Sequence, residues 1–118
     1  MGDRSNIFIQ QHKRADGEWD GIGLYTHWHG TSLYGVALDG VDKARCRIGD
    51  PSYYARIVIH HVLDAIADVD SELGFGLWTT RPCDNEHPVM VINAMTGECW
   101  YSGDAGFRYD KPVFAESD

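Results

Sequence analysis

The run Tyr25-Thr26-His27-Trp28-His29 concentrates more chemically capable side chains than any other stretch of the chain. His27 and His29 stand two apart, so on a strand they share a face and could reach one metal ion. A catalytic zinc needs three protein ligands. His12 is the nearest third histidine in sequence, but a hairpin that brings His12 near Trp19 sets His27 beside Arg4 or Ser5, at the far end. His60, His61 and His87 are the remaining candidates, and no spacing joins them to the pair, so neither a metal nor a catalytic residue is assigned. His60 and Asp64 lie four apart on a helix, where a solvated ion pair is the ordinary outcome. Cys83 and His87 share a loop, yet Asp84 and Glu86 would raise the thiol pKa and blunt it as a nucleophile. There is no G-x-S-x-G elbow for a serine nucleophile.

A second feature is an internal echo. Gly21-Ile22-Gly23-Leu24-Tyr25-Thr26 and Gly74-Phe75-Gly76-Leu77-Trp78-Thr79 share the order glycine, apolar, glycine, leucine, aromatic, threonine. Strand parity puts Gly21, Gly23, Tyr25 and His27 on one face of the first segment, and Gly74, Gly76 and Trp78 on one face of the second. Glycine inside a strand costs roughly 0.5–1 kcal/mol relative to alanine, so four of them suggest a close approach to the backbone. Two kinds of occupant fit: another part of the same chain, or a flat ligand or partner segment gripped between Tyr25, Trp78 and an arginine such as Arg81. The ligand reading assigns Tyr25, His27, Trp78, Arg81, Gly23 and Gly76 to the site. Arg56 and Arg108, with Tyr53, Tyr54, Trp100 and Tyr101, offer further stacking and anion contacts.

These residues need elements to hold them. Asn6 to His12 alternates apolar and polar residues as a strand does, Asp16-Gly17 is a turn pair, and Trp19 to Trp28 reads as the returning strand. Thr31 starts a helix carrying Leu33, Val36, Ala37, Val41 and Ala44, weakened by Gly35 and Gly40. Asp50-Pro51 opens a stronger helix running to about Val69, whose broad stripe of Ile59, Val62, Leu63 and Ile66 predicts packing on two sides. Strands follow at 73–80, 88–93 and 99–101, and 103–118 is expected as a surface tail. The order β-β-α-α-β-β-β predicts one domain over 1–118. Its expected class is α+β, a two-layer sandwich of two helices on an antiparallel sheet of about five strands.

Length and charge bound the function. The chain has 118 residues, 18 acidic and 10 basic side chains and a net charge of −8, which argues against nucleic acid as its main partner. Arginine outnumbers lysine seven to three, as suits planar or bidentate anionic partners. No apolar run reaches the ~18–20 residues of a membrane span. No signal segment is evident, and the three cysteines form no C-x-x-C pair, so the expected setting is a reducing cytoplasm with free thiols. No cofactor is implied. Ten Trp and Tyr residues in so small a chain leave aromatic surface for a symmetric homo-oligomer.

The segment Asp20-Gly21-Ile22-Gly23-Leu24-Tyr25-Thr26-His27-Trp28-His29-Gly30 and the helix start Asp50-Pro51-Ser52-Tyr53 resemble small proteins of actinobacterial phages and mobile elements. His29 stands where that pattern has Asp. The resemblance spans about Asn6 to Ile92 and implies a setting rather than an activity. It points to a non-enzymatic accessory protein that works by binding, as antagonists of host defence do. Within it, one expectation is sequestration of a nucleotide-derived signal or other small anionic ligand. The alternatives are docking on a host protein through the acidic surface, and a small His-dependent hydrolase with or without a metal.

Overall fold

Asp16 and Gly17 reverse the chain as their types require. Gly17 adopts φ 90°, the Asp16 carboxylate accepts the Glu18 N–H at 2.9 Å, and Arg14 spans Asp16 and Asp20 at 3.2 and 3.0 Å. The Asp16 carboxyl is held below its ordinary pKa, first by the Glu18 N–H and then by the Arg14 guanidinium. The turn sets the register of β1 (Ser5–Lys13) against β2 (Trp19–Thr26), from Lys13 opposite Trp19 to Ser5 opposite Thr26, with one irregularity between Gln10 and His12.

The computed structural model describes residues 3–66, 74–79, 87–102 and 109–114. After the hairpin come α1 (Ser32–Lys43), a single 3-10 turn at Arg45–Arg47, and α2 (Pro51–Ile66). The strands β3 (Phe75–Trp78), β4 (Met90–Asn93), β5 (Cys99–Ser102) and β6 (Tyr109–Phe114) complete one sheet in the order β3-β2-β1-β4-β5-β6. The fold is α+β with both helices packed on one another and on the sheet, in the expected chain order. Two details differ from expectation. The sheet is mixed, because β1 and β4 run parallel with Ile7 opposite Met90 and Ile9 opposite Ile92. The expected tail also contributes β6, antiparallel to β5.

The helix-side core joins Ile7, Ile9 and Leu24 of the hairpin and Met90 and Ile92 of β4 to Leu33, Ala37 and Val41 of α1 and Tyr54, Val58 and Val62 of α2. Gly40 lets the helices close: a methyl group there would lie 3.2 Å from the Val58 carbonyl oxygen. The other sheet face has its own cluster of Phe8, Trp78, Val89 and Val91. Beside it Asn93 donates to Gln10 Oε1 at 2.9 Å, and its own Oδ1 accepts the Met95 and Thr96 N–H groups. This buried pair ties the parallel β1–β4 junction to the turn into β5.

Tyr34 couples stability to alkaline pH. Its hydroxyl donates to the Pro88 carbonyl, its ring lies 4.8 Å from that of Tyr101, and burial pushes its pKa up to about 12. The folded state therefore holds this proton where the unfolded chain, near the usual ~10, releases it. The stabilisation is complete below pH ~10 and is lost as pH rises to about 12, at ~1.4 kcal/mol per pH unit for one such group. Burial shifts Tyr54 in the same direction. Urea titrations at pH 9, 10 and 11 should show stability falling across the series, with a shallower fall in Tyr34→Phe.

Candidate functional site

The two echo segments lie side by side. β2 and β3 pair antiparallel with Gly23 opposite Trp78, Leu24 opposite Leu77 and Tyr25 opposite Gly76. The Gly-Leu-aromatic motif is thus paired with itself, and each aromatic faces a glycine of the other strand. The indole of Trp78 rests on Gly23, where a methyl group would come within 2.1 Å of Cε2. The same ring stacks on Phe8 at 5.2 Å and donates to Asn6 Oδ1 at 2.9 Å, leaving Trp78 only 7% exposed. Gly23, Gly76, Tyr25, His27 and Trp78 do form one contiguous patch, whereas Arg81 lies outside the described residues. The space over Gly23, however, belongs to the chain's own tryptophan. Of the two occupants the sequence allowed, internal packing is the one found there.

The histidines at the end of this seam have separate partners. Tyr25 Oη and His27 Nδ1 are 2.7 Å apart, and the His27 ring meets Trp28 edge-on at 4.9 Å. His29 stacks on Phe75 at 5.7 Å, and His87 Nε2 contacts Asp3 Oδ1 at 2.7 Å. Among the described residues no three His, Cys, Asp or Glu side chains converge as a metal site. His12 is opposite Asp20 near the hairpin tip, at the other end of the sheet. The Asp3–His87 contact, which the sequence reading missed, orients an imidazole as a general base is oriented. Its partners are 84 residues apart, and no local pattern signals it.

An open site lies on the other face of the sheet. α2 covers β1, but Leu77 on β3 is left 59% exposed, and a groove of about 380 Å³ runs between them. Ile22, Leu77, Ala55 and Ile59 make it apolar, and Arg56 and His60 stand on its helix side. Gln11 donates to the Pro51 carbonyl at 3.1 Å, fixing the start of α2 over the sheet beside the groove. The size is at the lower end of the range for small-molecule sites, and an apolar lining with few polar groups is their usual composition.

The stretch of chain that leads to Arg56 is basic. Between Lys43 and Arg56 the chain carries Lys43, Arg45, Arg47 and Arg56 against Asp50 alone, in a protein of net charge −8. Arg45 is engaged by Asp42 at 2.6 Å. Arg47 and Arg56 instead approach the half-exposed Tyr53 ring, at 4.2 and 5.5 Å from its centroid, and among the described residues neither forms an ion pair. Tyr54, which the sequence grouped with Tyr53, turns into the core, and its hydroxyl has no hydrogen-bond partner.

No family model, curated protein or solved structure matches the chain. Among the described residues no helix is long and apolar enough to cross a membrane.

Proposed function

We propose that the protein is a non-enzymatic binding protein of the accessory type made by phages and mobile elements, and that it sequesters a small anionic ligand with an apolar or aromatic body. The observation that carries the binding mode is the meeting of the apolar α2–β3 groove with Arg56, a guanidinium that no carboxylate among the described residues neutralises. An apolar body would cover Leu77, Ile22 and Ile59, while the anionic group accepts hydrogen bonds from Arg56. A nucleotide-derived signal has this division into ring and phosphate. The accessory setting rests on the Asp20–Gly30 and Asp50–Tyr53 segments, and antagonism of a host defence is the role that setting suggests.

Thermal denaturation with a panel of linear and cyclic nucleotides, aryl phosphates and the matching uncharged nucleosides and phenols tests this directly. The anions should raise Tm and their neutral counterparts should not. Ligand at 100 times Kd adds about 2.7 kcal/mol, an increase of roughly 10 °C for a chain of this length. No rise with any anion at millimolar concentration would discard the ligand and leave host-protein docking. Stoichiometric zinc or manganese in the purified protein would instead favour the hydrolase.

A further inference from the structure

We infer that β3 is the two-fold contact of a homodimer, in which Leu77 pairs with Leu77 of a second copy and the two sheets become continuous. The backbone pattern supplies the first reason. The His27 N–H bonds the Gly74 carbonyl at 2.9 Å, and hydrogen-bonded pairs alternate along an antiparallel ladder. Gly76 and Trp78 therefore direct their main-chain groups to β2, while Phe75 and Leu77 direct theirs to the outer edge. β3 ends the sheet, and among the described residues no strand lies beyond it.

The composition of the two sheet edges supplies the second reason. β6 has the sequence Tyr-Asp-Lys-Pro-Val-Phe, with the charges and proline that keep an edge from pairing. The β3 segment from Leu73 to Thr80 has no charge and no proline in a chain that is 24% charged. Two of the large apolar side chains that stand exposed flank this strand: Leu77, and Trp28, which is 49% exposed and lies on Gly74. An edge so composed is built to be covered.

Self-complementarity identifies what covers it. The β2–β3 junction already pairs Gly-Leu-aromatic with Gly-Leu-aromatic in antiparallel register about its leucines. A second β3 placed about Leu77 repeats that register, with Gly76 opposite Trp78 twice and Leu77 opposite itself. This is the isologous contact of a C2 dimer. It also completes the groove. Leu77 forms part of the lining, and the second copy brings its own α2 to the open side, so two grooves face each other across the axis. The contact holds whether or not the groove takes an anion.

Three β3 residues paired on each copy, 76–78, bury less than a standard interface, so the dimer is expected to be weak and is read over roughly 10 µM to 1 mM. Light scattering or sedimentation of the full chain should give twice the chain mass at the upper end. Leu77→Lys, at an exposed position, should raise the dimer dissociation constant about ten-fold or more by setting like charges opposite one another. In a chain carrying Cys46→Ser and Cys83→Ser, a short bismaleimide should cross-link Leu77→Cys but not Thr79→Cys. The two copies of position 77 are then about 5.5 Å apart and those of position 79 about 14 Å apart. A monomer throughout the range, a dimer unaffected by Leu77→Lys, or equal cross-linking at both positions would overturn the inference.

Discussion

Gly23→Ala is expected to destabilise the protein by about 2–4 kcal/mol, while Gly76→Ala, the same change at the equivalent place in the echo, is expected to be neutral or slightly stabilising. Gly→Ala at a compatible strand position normally gains about 0.4–1 kcal/mol by restricting the unfolded chain. At Gly76 no close contact opposes that gain among the described residues, where the nearest atom to the new methyl group would be Tyr25 Cδ2 at 3.8 Å, an ordinary contact. At Gly23 the methyl group would overlap the indole of Trp78 at 2.1–2.4 Å. The ring cannot tilt freely, since it stacks on Phe8 and donates to Asn6. Overpacking costs about 1–3 kcal/mol and a broken buried hydrogen bond a similar amount, which together outweigh the entropic gain. At roughly 4 °C per kcal/mol, Tm should fall by about 8–16 °C. Trp78→Ala should cost about 3–5 kcal/mol by removing the ring altogether. Equal melting temperatures for Gly23→Ala and the parent chain would mean that the seam of aromatics on glycines does not hold this edge of the sheet.

That contrast also shows what the sequence could and could not reveal. The local signals were legible because they act over a few residues. Asp16-Gly17 marks the hairpin turn, Asp50-Pro51 the start of α2, and alternation separates the faces of β1 and β2. Parity placed Trp78 on the same face as Gly76 correctly. It could not tell that the ring would lie on Gly23, because that depends on β3 pairing with β2 across more than fifty residues. The parallel contact of β1 with β4 was equally hidden: Ile7 and Met90 are 83 positions apart, and either strand alone reads the same in parallel or antiparallel company. The Gln10–Asn93 pair follows from that junction and from no pattern in either strand. The groove was missed for a related reason. The broad stripe of α2 predicts two packed sides, but α1 and β1 take most of it and β3 lies too far out for the helix to cover Leu77. Arg56 and Tyr53 stood in the sequence only among several arginines and aromatics suited to stacking and anion contacts; their place beside an apolar groove required the fold.

Arg56 therefore carries the sharpest functional expectation. Arg56→Ala should weaken binding of an aromatic phosphate by about 10- to 100-fold, the ~1.5–3 kcal/mol of hydrogen bonds to a charged group, and Arg56→Glu should weaken it further by repulsion. Neither change should alter the stability of the unliganded protein by more than about 0.5 kcal/mol, since the side chain is exposed and forms no ion pair among the described residues. Tyr53 also carries Arg47 over its ring at 4.2 Å, a contact both variants should keep. Arg14→Ala is the matched control: it removes the same charge from the hairpin tip, where Asp16 and Asp20 already engage it, and should leave binding unchanged. Leu77→Ala supplies the apolar counterpart, lowering affinity for ligands with a large ring more than for inorganic phosphate. Isothermal titration at two salt concentrations separates the contributions, because screening at 0.15 M ionic strength, with a Debye length of about 8 Å, weakens the arginine contact and not the apolar one. If Arg56→Ala and Arg14→Ala reduced affinity equally, the anion would be responding to net charge rather than to the groove, and the site would have to be placed elsewhere.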